Sequence, residues 1–171
     1  MNTKTIARTA ILIALLVALQ YATSSLGQFV TGSCVNLVLA VAALFAGLWS
    51  GVIVAVVSPF FAFLLGVGPK LIALVPFIAF GNLVYALLLA LLGKRFDAPP
   101  QSLLAVGAAA VCKFLTLFLV IVKLLLPTLG LPDKQVAVMS TMFSWPQLVT
   151  ALIGGCLALA VVPALKKAFR D

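Results

Sequence analysis

Residues Leu71–Leu92 read LIALVPFIAFGNLVYALLLALL and are closed by Gly93-Lys94-Arg95. The stretch carries no charge, and its only side chains with hydrogen-bonding groups are Asn82 and Tyr85. As a helix it would extend about 33 Å at 1.5 Å per residue, enough to cross a hydrocarbon core of roughly 30 Å. The apolar run is continuous and does not alternate. A helix, not a barrel strand, is therefore the form that satisfies its backbone in lipid.

The rest of the chain has the same character. Of 171 residues 65% are hydrophobic and 8% are charged, with a mean hydropathy of +1.33. A soluble domain is about 45–50% apolar and about 25% charged. Five further apolar segments stand out, at about 5–23, 33–46, 49–65, 101–126 and 146–165. The sequence thus predicts an all-α integral membrane protein, one domain of six transmembrane helices in a single bundle. Ser24–Gly32 reads as a polar loop, Gly47, Ser50 and Gly51 as a turn, and Gly66–Lys70 as a second loop. Ser58-Pro59 breaks the third segment, and Asp97-Ala98-Pro99-Pro100 forms a turn before the fifth. Pro146 suits the first turn of the last helix. Residues 135–145 form a short helix or an ordered loop. No internal repeat is evident, which disfavours a transporter built from duplicated halves.

The formal net charge is +8. Lys4, Arg8, Lys94, Arg95, Lys166, Lys167 and Arg170 all flank apolar runs, as topology signals do beside an anionic inner leaflet. A basic groove for nucleic acid is not indicated. With six spans these seven cations lie on one side together with both termini, which are then cytoplasmic; Lys70 and Lys134 fall outside. Five spans would place the Lys166, Lys167 and Arg170 cluster on the opposite face. The basic, apolar N-terminus resembles a secretory signal, but it is expected to remain as the first span.

Several chemistries are poorly served. The chain has no His and no Glu, and Asp97, Asp133 and Asp171 lie in loops or at the end. General acid–base catalysis, hard-metal chemistry and proton-coupled transport normally draw on such groups within the fold. No P-loop is present, so ATP hydrolysis would belong to other subunits. Cys34, Cys112 and Cys156 are isolated and read as small buried packing residues. The expectation is a non-enzyme without cofactor or metal.

Segment five carries the positive signal. Lys113 lies about twelve residues into it, and positions 113, 116, 120 and 123 fall within an arc of roughly 80° on an α-helix. Lys113, Thr116 and Lys123 are thus expected on one face that looks into the bundle. A lysine at mid-bilayer costs roughly 2.5–3.5 kcal/mol on insertion scales and must find a partner or water. Lys113 either bonds helix carbonyls or is neutral through desolvation, or it contacts an anionic or carbonyl-rich ligand. Lys123, four residues before Pro127, either snorkels to the interface or joins that ligand site. Other polar groups gather in the same half of the bundle: Gln20, Tyr21, Gln28, Thr31, Asn36, Asn82, Tyr85, Ser144, Trp145 and Gln147. Each could equally be helix–helix glue or an interfacial anchor, but uncharged polar groups, aromatics and a lysine together suit a small organic solute.

The first segment has a different feature. Ala10, Ala14 and Ala18 repeat every four residues and form a smooth strip, with Ala7 beside it. Such strips let another helix approach closely, inside this bundle or from a partner. Gly47/Gly51 and Gly154/Ala158 share the spacing and read as internal packing.

The alanine strip after a basic N-terminus, a loop of gating length at Ser24–Gly32 and a last span ending in Lys166-Lys167 resemble the S-components of energy-coupling factor transporters. The resemblance covers essentially the full length. It implies six helices, cytoplasmic termini, and capture of a vitamin or similar small solute from outside a bacterial plasma membrane. It implies that Ala10, Ala14 and Ala18 dock on a transmembrane coupling subunit, which joins two ATPase subunits. It also places the ligand near the outer side, where this chain has Gln28, Asn36, Gly68, Asn82, Tyr85, Lys113, Thr116, Lys123, Trp145 and Gln147. The absence of an intramembrane acid speaks against a cationic ligand, and the lysines favour one bearing carboxylate or phosphate. A solute-free membrane scaffold would explain the alanine strip but not Lys113. A homo-oligomeric channel would want polar stripes on several helices.

Overall fold

A computed structural model describes residues 2–93 and 99–169 of the chain. The expected topology signals Lys94, Arg95 and Arg170, and Asp97 of the expected turn, lie outside the described residues. Among the described residues all regular structure is helical. The helices are α1 (Thr3–Thr23), α2 (Gln28–Val41), α3 (Leu48–Leu64), α4 (Val75–Leu92), α5 (Pro99–Leu117), α6 (Asp133–Met142) and α7 (Trp145–Ala168). Two of them widen at their ends into π-helical turns, α2 through Ala42–Ala46 and α5 through Phe118–Leu125. Five helical runs among the described residues are long and apolar enough to cross a membrane, whereas Leu48–Leu64 is apolar but shorter. The chain is a multi-pass membrane protein.

Three local expectations change. Ser24–Gly32 is not an open loop: Ser24–Leu26 is a 3-10 turn, Gly27 reverses the chain at φ 85°, and α2 already begins at Gln28. The second helix therefore starts five residues earlier than position 33, and Gln28 and Thr31 belong to its first turn. Ser58-Pro59 does not break α3, which runs through Pro59 uninterrupted. In a membrane bundle, neighbouring helices offset the backbone bond that proline removes. The turn after α2 is Gly47 alone, at φ 97°, while Ser50 and Gly51 are buried within α3. Residues 135–142 resolve the remaining choice, as most of the short helix α6.

Small residues set the closest approaches. A Cβ added at Gly154 on α7 would lie 2.5 Å from the Leu37 amide nitrogen and 2.6 Å from Asn36 Cβ on α2. Gly51 similarly meets the backbone of Ala43. The reading of Gly154/Ala158 and Gly51 as packing positions holds, whereas Gly47 serves the turn. Gly154→Ala must push α7 away from α2, and such overpacking typically costs about 1–3 kcal/mol. It is expected to lower the thermal unfolding midpoint of the purified chain, and an unchanged midpoint would contradict this packing.

α2 packs on α7, α3 on α4, α4 on α5, α5 on α7, and α1 across α2 and α3. The main core includes Leu16, Leu39, Val54, Leu89, Val106 and Val162. A second cluster of Leu74, Leu117, Ile121, Leu126 and Phe143 joins α5 to the starts of α4 and α7. Arg8 lies 4.9 Å from the Phe45 ring centroid and 5.8 Å from that of Phe169, so the start of α1 meets the end of α7. Cys112 and Cys156 are exposed and Cys34 is half-buried, correcting the expectation that all three are buried. In lipid an outward thiol carries little penalty, because its surroundings are as apolar as a core.

Candidate solute-binding site

The end of the bundle away from the termini is hollow. A cavity of about 250 Å³ opens among the ends of α1 and α3, the loop Val67–Pro69, the starts of α2, α4 and α7, and the middle of α5. Its upper wall is apolar, with Pro59, Ala62, Phe63, Val75, Ile78 and Phe143. Asn36 lies eight residues into α2 and Asn82 seven into α4. At 1.5 Å per residue the polar floor is thus about 10–12 Å below the helix starts.

Lys113 anchors that floor and is only 2% exposed. Its ammonium donates to Asn36 Oδ1 at 2.6 Å and to Asn82 Oδ1 at 2.7 Å. The Asn36 amide is oriented for this role, because its Nδ2 donates to the Gly32 carbonyl at 2.9 Å and to Thr150 Oγ1 at 3.2 Å. Tyr85 lies beneath, with its ring centroid 5.4 Å from Lys113 Nζ and its hydroxyl donating to the Ala151 carbonyl at 2.7 Å. A cation over a ring face at this distance gains electrostatically. The only acid among the described residues is Asp133, exposed at the start of α6. Lys113 is therefore held by amide dipoles and a ring, with no counter-ion among the described residues. Two N–H donors of Lys113 are committed to the asparagines, and the protonated side chain keeps a third.

Of the nine side chains expected at the site, Gln28, Asn36, Asn82, Lys113 and Gln147 line the cavity. Gln28 Nε2 and Gln147 Nε2 both donate to the Met142 carbonyl, at 2.5 and 3.0 Å, fastening the α6–α7 junction over the opening. Tyr85 is fully buried behind Lys113, off the cavity wall. Thr116 is half-buried and donates to its own helix at Cys112. Trp145 is largely exposed, with its ring 5.5 Å from that of Phe29. Lys123 is exposed and lies 5.3 Å from the Phe118 ring.

Lys123 departs from the expected shared face for a geometric reason. From Phe118 the helix adopts i→i+5 turns, so each turn takes more residues and the α-helical wheel no longer applies. The buried line runs Lys113, Leu117, Ile121, Leu126, with the last step widened to five residues. Lys123 falls off that line. Gln20 and Thr31, named among the polar groups of that half of the bundle, also line the cavity, as does Gly68. The apolar wall carries no signal in a chain this hydrophobic.

The outer surface of α1 is bare. Thr9, Leu12, Leu16 and Gln20 face the bundle, whereas Ala7, Ala10, Ala14 and Ala18 are exposed. The alanine strip is thus not used for packing within the chain. Among comparisons with known proteins, the profile of the family described as "ECF transporter, substrate-specific component" matches residues 4–166. No curated protein and no solved structure matches the chain.

Proposed function

The chain belongs to the family of ECF transporter substrate-specific components, and from that premise we propose that it captures a small, vitamin-like organic solute bearing an anionic or carbonyl group from outside the cell. Members of that family are substrate-binding transporter subunits rather than enzymes, and membership implies work with a coupling subunit and ATPases. The observation that carries the finer reading is Lys113, a buried ammonium on the floor of a cavity with two amide oxygens and no acid beside it. Its remaining donor is matched by a carboxylate, phosphate or carbonyl oxygen, and charge-assisted bonds are the stronger kind.

The topology supports capture from outside. Lys4, Arg8 and Lys166 border one hollow at the end opposite the cavity. By the positive-inside rule that end is cytoplasmic, in a bacterial plasma membrane. Counting the short α3 as a span gives six, with both termini inside and the cavity at the outer leaflet. At about 26 Å, α3 is a few ångströms short of the core, which a bilayer accommodates by thinning.

The direct test is to purify the chain from membranes and identify any retained small molecule by mass spectrometry. The expected result is a solute with at least one carboxylate, phosphate or carbonyl oxygen. A chain that binds no such solute yet copurifies with membrane proteins would favour a scaffold role instead.

A further inference from the structure

One polar group in the cavity has no partner. Gln20, near the end of α1, is 6% exposed, and its side-chain oxygen Oε1 makes no hydrogen bond among the described residues. It is not remote from the site, since Gln20 lines the same cavity as Lys113, Asn36 and Asn82. An amide oxygen removed from water without a donor is costly, and buried polar groups in folded proteins are almost always paired. The other amides of the cavity differ from it. Asn36 and Asn82 accept from Lys113, and Gln28 and Gln147 donate to Met142. Among the described residues the cavity thus offers a fully buried acceptor without a donor at Gln20 Oε1, beside Lys113, whose nitrogen is a donor.

We infer that Gln20 is a solute-binding residue, and that the solute is a small bifunctional molecule with an acceptor for Lys113 and an N–H or O–H donor for Gln20. This rests on the proposed role of Lys113 and adds to it a second, independent anchor on a different helix. Size narrows the class further. The cavity volume is about 250 Å³. That suits a small solute and lies just below the usual range of about 300–1,000 Å³ for ligand pockets. Gln20 also follows Ala18 by two residues, about 200° around the helix, so solute and alanine strip occupy opposite faces of α1.

The test uses four carboxylates on the purified chain in lipid nanodiscs, with affinity read by calorimetric titration. Biotin and pantothenate carry a carboxylate with N–H or O–H donors. Benzoate and nicotinate carry a carboxylate without such a donor at neutral pH. The expected result is that a donor-bearing compound binds about tenfold or more tightly than both donor-free ones. Gln20→Met should erase that preference, whereas Lys113→Met should weaken every compound that binds. Equal binding of the two classes, or a preference that survives Gln20→Met, would overturn the role of Gln20 and leave the Lys113 reading intact. If none of the four binds the parent chain, the carboxylate reading of Lys113 fails and this inference with it.

Discussion

Lys113→Met is expected to weaken binding of the natural solute by about 10- to 100-fold. A hydrogen bond to a charged group contributes roughly 1.5–3 kcal/mol, and each 1.4 kcal/mol is a factor of ten in affinity. Methionine fills similar volume without the ammonium, so the cavity keeps its shape while the floor loses its only cation. The change has a structural cost as well. Asn36 Oδ1 and Asn82 Oδ1 both lose the donor they share, and each buried acceptor left unpaired costs about 1–3 kcal/mol. Lower thermal stability is therefore expected alongside weaker binding. Lys113→Arg separates the two, since it keeps the charge and donors but changes their geometry. It should retain more affinity than Lys113→Met at comparable stability. Unchanged solute affinity in a folded Lys113→Met variant would remove Lys113 from the site.

Ala14→Trp is expected to abolish assembly with the coupling subunit while leaving solute affinity within about twofold of the parent. The residue sits at the middle of the Ala10, Ala14, Ala18 strip, on the exposed face of α1 and away from Leu12 and Leu16, which pack inward. Helix pairs in lipid associate chiefly through close packing of small residues, so an indole in the seam would hold the partner away. Surface changes outside the core usually shift stability by within about 0.5 kcal/mol, which corresponds to about a twofold change in affinity. Affinity capture of the assembled complex, set beside solute titration of the isolated chain, measures both outcomes. Full assembly of the variant would refute docking through this face. Joint loss of assembly and binding would mean that Ala14 supports the fold instead.

The departures from expectation share a cause. Gln28 and Thr31 look like loop residues because they are polar and follow Ser24, Ser25 and Gly27. They are helical, in the first turn of α2 beside the cavity, and a helix that turns polar side chains to a cavity resembles a loop in composition. A constant pitch would set Lys123 beside Lys113, but the helix changes pitch after Leu117. Tyr85 shares a face with Asn82, yet its ring supports Lys113 from behind because its hydroxyl is claimed by the Ala151 carbonyl. In each case periodicity named a direction, and the neighbour waiting there was not encoded nearby.

The sequence by itself determined the solvent and the all-helical class, because these depend on composition and on local apolar runs. It also singled out Lys113, since a cation deep in an apolar helix is conspicuous without any structure. Only the tertiary structure decided what Lys113 meets. Its two amide partners lie 77 and 31 residues away in the chain, and Gln20 reaches the same cavity from the first helix. The spanning helices offer lipid-compatible faces almost all round, so hydrophobic pattern cannot tell which polar groups turn toward one another. That choice is made by close packing, through small residues such as Gly154 that let α7 approach α2 and bring Asn36 into place.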